Sequence, residues 1–202
     1  MQKNNIRETL CEVRASYRLL YNYQRRIMDL VGYIGSRYGL TYNGGYSKFS
    51  NTTPRNGRGN LGNWAWDWLN MYYYEFNFYP KEIEENTLYF SIFILSDTGY
   101  YKAKFEGNAS PTNTSNFKPV DDSQSEFILV AGKNMWYGQE YNWDKFEFIL
   151  EMQGFKTDGE NKRMFFKHYN LEDFESEELA IFKLIDFQNE CKRHGIPLSL
   201  VE

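Results

Sequence analysis

Cysteine, histidine and proline are all scarce in these 202 residues: two, two and five. Cys11 and Cys191 stand at opposite ends of the chain. They form neither a disulfide framework nor a zinc-ligand spacing. Two free, buried thiols in a reducing cytoplasm are the expectation. No apolar run approaches the roughly 20 residues of a membrane span, so no membrane partner is expected. The first residues, Met1 to Asn5, lead into a charged helix without the pattern of a secretory leader. The Asn-x-Ser/Thr triplets at Asn51, Asn108 and Asn113 therefore read as loop polarity rather than glycan acceptors.

Catalytic patterns are equally sparse. There is no H-E-x-x-H, no Walker lysine loop and no G-x-S-x-G. His168 and His194 have no spaced partner of metal-ligand type. No catalytic residue, metal ligand or cofactor is assigned. Gly57-Arg-Gly-Asn-Leu-Gly62 matches G-x-G-x-x-G, but a polar, proline-containing loop precedes it and an aromatic segment follows. The dinucleotide fingerprint needs a strand before and a helix after. What remains of that motif is a glycine-rich backbone able to turn N–H groups toward an anion beside Arg58.

Aromatic residues are abundant, at 19% of the chain, and the charge is uneven. The net charge is −4, yet residues 1–60 carry ten Lys and Arg against three Asp and Glu. Residues 61–202 carry thirteen against twenty-four. Such polarity suits an anionic partner for the basic end, or attraction between the two ends within the fold.

The basic end begins with a helix. Ile6, Leu10, Val13, Tyr17, Leu20, Ile27, Val31, Ile34 and Tyr38 recur in steps of four and three, broken by one double step over Gln24. They draw one stripe on a helix ending near Gly39. Arg7, Arg14, Arg18 and Arg25 form a basic ridge beside that stripe. The acidic run Glu172–Glu178 is their natural internal partner. Residues 41–63 read as a long Gly/Asn-rich loop with Lys48, Arg55 and Arg58 and no acid. From Trp64, every second residue to Phe78 is aromatic except Asn70. Period two predicts one or two strands here.

The remainder predicts a charged turn at 80–86, a central strand over Leu88–Leu95, and a hairpin at Asp97-Thr98-Gly99 into a strand over 100–105. A polar loop follows over 107–124, then a short strand at Glu126–Ala131. Lys145–Met152 and Arg163–Tyr169 read as hairpin arms around Asp158-Gly159, with a short helix as the alternative for the first arm. Glu177–His194 is the closing helix, capped by Ser176, with Leu179, Phe182, Ile185 and Cys191 marking its inner face and Leu184 and Phe187 alongside. The fold class is α+β in a single domain: a long N-terminal helix, a largely antiparallel sheet of about five or six strands, and a C-terminal helix, both helices on one face.

Three functions are compatible with these features. The first is a non-catalytic binding protein. It meets nucleic acid or a nucleotide with Lys48, Arg55 and Arg58 on phosphates and Trp64, Trp66 and Trp68 as stacking faces, flanked by the arginine ridge. The second is a protein-interaction or inhibitor module, with the first helix able to pair with another copy. The third is a metal-dependent phosphodiester hydrolase drawing on Asp97, Asp121, Asp122, Glu126, Asp158 and Glu160.

Overall fold

A computed structural model of the chain describes residues 6–50, 65–69, 71–107, 109–135 and 146–201. The order of elements is α1 (Ile6–Arg37), β1 (Tyr42–Ser47), β2 (Tyr73–Phe78), β3 (Lys81–Ile83), β4 (Asn86–Leu95), α2 (Gly99–Phe105), β5 (Glu126–Lys133), α3 (Phe146–Leu150), β6 (Gln153–Asp158), β7 (Lys162–Asn170) and α4 (Glu177–Arg193). Short 3₁₀ turns join several of them. The fold is α+β.

The strands form one antiparallel sheet in the order β1-β2-β4-β5-β7-β6, with β3 also pairing with β4. β4 and β5 lie at its centre. Both are apolar on both faces, because both faces are covered. On one face Phe90, Ile92, Ile94, Phe127 and Leu129 meet Ile27, Val31 and Ile34 of α1 and Leu184 and Phe187 of α4. The terminal helices thus share a face, as their apolar stripes require. On the other face Phe93, Ile128, Val130 and Phe166 meet Tyr100 and Tyr101 of α2 and Phe148 and Ile149 of α3.

That second helical layer corrects two readings. Residues 100–105 form a helix, not a hairpin strand. The Asp97 carboxylate accepts the Gly99 N–H at 2.7 Å and turns the chain into α2. Tyr100, Tyr101 and Ala103 are buried, while Lys104 and Phe105 face solvent. The hairpin does turn at Asp158-Gly159, but its first arm is β6. Of the preceding stretch, Phe146–Leu150 is helical. Residues 42–47, expected to lie in a loop, are an edge strand.

The aromatic run needs the largest revision. Among the described residues of this run, only Tyr73–Phe78 is strand; Ala65–Trp68 is a single 3₁₀ turn. Trp66 leaves the sheet to pack sideways, so alternate spacing in sequence did not mean a shared strand face. In α4 the buried stripe is Ala180, Leu184, Phe187 and Cys191. Leu179, Phe182 and Ile185 were expected inside but are exposed, Phe182 at 68%. The Ser176 cap is present, its hydroxyl accepting the Leu179 N–H at 3.2 Å.

Candidate interaction surface

The site residues expected from the sequence divide by environment. Arg55, Arg58 and Trp64 lie outside the described residues. Lys48 reaches the buried Glu75 carboxylate at 2.5 Å. Ser91 donates toward the same carboxylate at 3.4 Å and to Asn77 Oδ1 at 2.6 Å. Burial pushes the Glu75 carboxyl upward, and the Lys48 ammonium and neighbouring hydrogen bonds only partly offset it. Lys48 is therefore engaged in neutralising a carboxylate under the edge of the sheet.

Trp66 is likewise engaged. Its ring meets Phe49 edge-on at 5.0 Å, Tyr72 at 4.9 Å and the Phe117 ring, nearly parallel, at 6.2 Å. Its indole N–H donates to the Pro111 carbonyl at 2.6 Å. Trp66 thus pins the 110–117 loop against the end of β1 and α2. Trp68, two residues on, is 55% exposed. The structure brings Lys48, Trp66 and Trp68 into one region without making them one platform.

An extended exposed apolar stripe lies elsewhere. α1 is 32 residues, but its buried positions begin only at Ile27. Nearly every residue from Ile6 to Asn22 is exposed. These include Ile6 at 71%, Leu10 at 48%, Val13 at 42%, Tyr17 at 69% and Leu20 at 40%. The first half of the apolar stripe therefore projects beyond the sheet as an arm of about 25 Å. At the arm's root is an open cleft of about 590 Å³, walled by Tyr23, Arg26 and Leu30 on one side and Ser125, Leu171 and Phe174 on the other. Tyr23 donates to the Ser96 hydroxyl at 2.9 Å. Arg26 donates to the carbonyls of Phe174 and Glu175 at 3.3 and 3.1 Å.

Arg26, which is not part of the expected ridge, links α1 to the acidic segment, as does the Tyr33 hydroxyl, which donates to Glu177 at 3.5 Å. Arg7, Arg14, Arg18 and Arg25 are exposed along the arm. Arg14, Arg18 and Arg25 form no ion pair among the described residues. Cys11 also sits exposed on the arm, contrary to the expectation that both thiols are buried; Cys191 is buried. Burial raises the Cys191 thiol well above its ordinary value.

A family model described as PM0109 matches residues 3–196, covering the arm, the sheet and the closing helix. The chain belongs to the PM0109 family. No curated protein and no solved structure matches it. In this PM0109 chain three of the carboxylates considered for hydrolysis, Asp97, Glu126 and Asp158, have different partners. Asp97 accepts the Gly99 N–H at the start of α2, Asp121 and Asp122 are exposed in a 3₁₀ turn, and Asp158 pairs with Lys162 at 3.2 Å. Glu126 is buried against His168 Nδ1 at 2.8 Å, while the other ring nitrogen faces the Phe148 carbonyl at 2.8 Å. Two acceptors around one imidazole make this a closed structural pair joining β5, β7 and α3. Among the described residues, no group of three or more His, Cys, Asp or Glu is placed to hold a metal, and no helix is long and apolar enough to cross a membrane.

The sequence signal for the arm was present in the stripe itself. What it lacked was any sign that half of the stripe is left uncovered. The exposed Leu179, Phe182 and Ile185 on α4 are a second apolar patch that was read as core.

Proposed function

We propose that this protein is a non-catalytic interaction module whose docking element is the N-terminal arm of α1, with the cleft at its root as the adjoining surface. One observation carries this reading: a four-turn apolar stripe stands in solvent on a helix whose other half is firmly buried. Monomeric proteins rarely leave contiguous apolar patches uncovered, and such patches mark interaction sites. Tyrosine and arginine, both present on the arm, are among the residues that dominate protein interfaces. A cytoplasmic setting, in keeping with the two free cysteines, belongs to the same proposal.

The anionic-ligand reading retains support from Arg14, Arg18 and Arg25, which line the arm in solvent. It draws less from Lys48 and Trp66, whose polar and aromatic groups are engaged within the fold. A photoreactive amino acid at Leu10, compared with one at Lys156 on β6, separates the two in cells expressing the full chain. Cross-links from position 10 to protein, absent from position 156, are the expected result. Cross-links to nucleic acid alone would move the function to the arginine ridge. An absence of cross-links at position 10 would overturn the docking role.

A further inference from the structure

The stripe on α1 is more regular than amphipathicity requires. With Gln24 included, the positions 6, 10, 13, 17, 20, 24, 27, 31, 34 and 38 alternate steps of four and three without interruption. This is a heptad repeat with a and d positions filled, the pattern that drives two helices to wind around one another. Gln24 is the one polar residue in the seam, and it marks the crossing from solvent to body. On its C-terminal side Ile27, Val31, Ile34 and Tyr38 are covered by the chain's own sheet and α4. On its N-terminal side Ile6, Leu10, Val13, Tyr17 and Leu20 continue the same seam uncovered.

Resting on the docking role proposed above, we infer that the occupant is a second copy of this chain, its arm laid antiparallel along the first. The direction follows from the body. A parallel partner would carry its own Ile27–Tyr38 segment along the continuation of the seam, where the first copy's sheet and α4 already stand. An antiparallel partner runs its N-terminus toward that body and places its own body beyond the first copy's N-terminus. The two-fold axis then crosses the arms near residues 12–15, and each seam covers the other in an isologous interface.

The area agrees. The five seam side chains and Tyr21 beside them are each at least 40% exposed. Taking about 100 Å² for an aliphatic side chain and about 200 Å² for tyrosine, they expose roughly 470 Å² per copy, most of it apolar. A standard interface of about 800 Å² per partner is a little over half apolar, or about 450 Å². Two arms therefore supply what a modest dimer needs. A polar partner surface would leave the seam uncovered, whereas an identical seam matches it in length and spacing.

Sedimentation equilibrium of the full chain from about 5 to 500 µM tests this. A monomer–dimer equilibrium with Kd on the order of 10–100 µM is expected, at the weak end for an interface of this size. The double variant Leu10→Glu/Tyr17→Glu should be monomeric throughout, with the thermal midpoint of wild type at concentrations well below the dimer Kd, because both side chains are exposed in the monomer. A monomeric wild-type chain at 500 µM overturns the inference. If position 10 nonetheless cross-links to another protein, the docking role stands without it. Orientation is read from Leu20→Cys in a Cys11→Ser background. Antiparallel arms hold the two introduced thiols apart, so oxidation should yield no covalent dimer; efficient disulfide formation would mean parallel arms and overturn the geometry.

Discussion

Replacing Trp66 with alanine separates a structural peg from a binding platform. The indole is half-buried among Phe49, Tyr72 and Phe117, and its N–H is given to Pro111. Truncating a buried Trp to Ala costs about 3–5 kcal/mol. Partial exposure lowers that figure, while the lost hydrogen bond restores about 1 kcal/mol. Each broken aromatic pair contributes about 0.5–1.5 kcal/mol beyond its area. A net loss of about 3–4 kcal/mol follows for Trp66→Ala. Trp68→Ala, at an exposed site, should stay within about 0.5 kcal/mol of wild type. Urea unfolding followed by far-ultraviolet circular dichroism reads both. With a slope of about 2–3 kcal/mol/M, the Trp66 variant should lose more than 1 M in its midpoint. If Trp66→Ala instead costs less than about 1 kcal/mol, the ring is not holding the 110–117 loop. The indole would then be free to serve a ligand, as first expected from its place beside Lys48.

Two further perturbations test the packing and the buried charge. Gly32 and Gly35 lie one turn apart on α1, and their alanine variants should differ in sign. A methyl at Gly32 meets nothing within 4 Å and should stabilise by about 0.5–1 kcal/mol; at Gly35 it runs into the buried Phe78 ring and should destabilise by about 1–3 kcal/mol. Thermal unfolding of both variants measures this, and equal signs would refute the close approach of α1 to β2. The second perturbation is Glu75→Gln. Because the folded-state pKa of Glu75 is raised, the folded protein holds a proton that the unfolded chain releases near pH 4.3, so its contribution is fully present below that pH and is lost as pH rises through the folded value. The stability of wild type relative to Glu75→Gln should therefore fall as pH rises above about 4.3; a rise over that range would mean that Lys48 outweighs burial.

Much of the fold was legible because burial and period coincide in its long elements. β4 and β5 are apolar along their inner lengths since helices cover both faces, and the second half of the α1 stripe, from Ile27 to Tyr38, is both periodic and buried. The failures arose where a large residue does something other than enter the nearest core. In α4, Leu184, Phe187 and Cys191 are buried as expected, but Leu179, Phe182 and Ile185 outweigh the smaller Ala180 in sequence, so the expected inner face is rotated toward solvent. In α2, adjacent Tyr100 and Tyr101 both bury their rings. The lysines at 102 and 104 then imitated a strand's alternation. At the candidate site, Lys48 and Trp66 are engaged by Glu75 and Pro111, which are 27 and 45 positions away in sequence. No local pattern reports such partners.

The arm poses the energetic question that the rest of the chain does not. Most helical stability in proteins comes from packing an apolar face, and isolated helices shorter than about 12–15 residues are marginal in water. No residue from 6 to 22 is buried among the described residues, yet these residues continue a helix already nucleated by Ile27–Tyr38, so they avoid the cost of initiation. A purely solvated extension would be cheapest with polar residues all round. This one instead keeps Ile, Leu, Val and Tyr at every seam position and segregates Arg14, Arg18 and Arg25 beside it. Exposed in a monomer, that stripe has a cost in solubility and confers no stability. Covered by a matching helix, the same side chains hold the arm helical and join two surfaces. The heptad phase thus runs through one element in two settings: its second half packs on the sheet, and its first half, on the proposal above, is the part a partner of the same periodicity would cover.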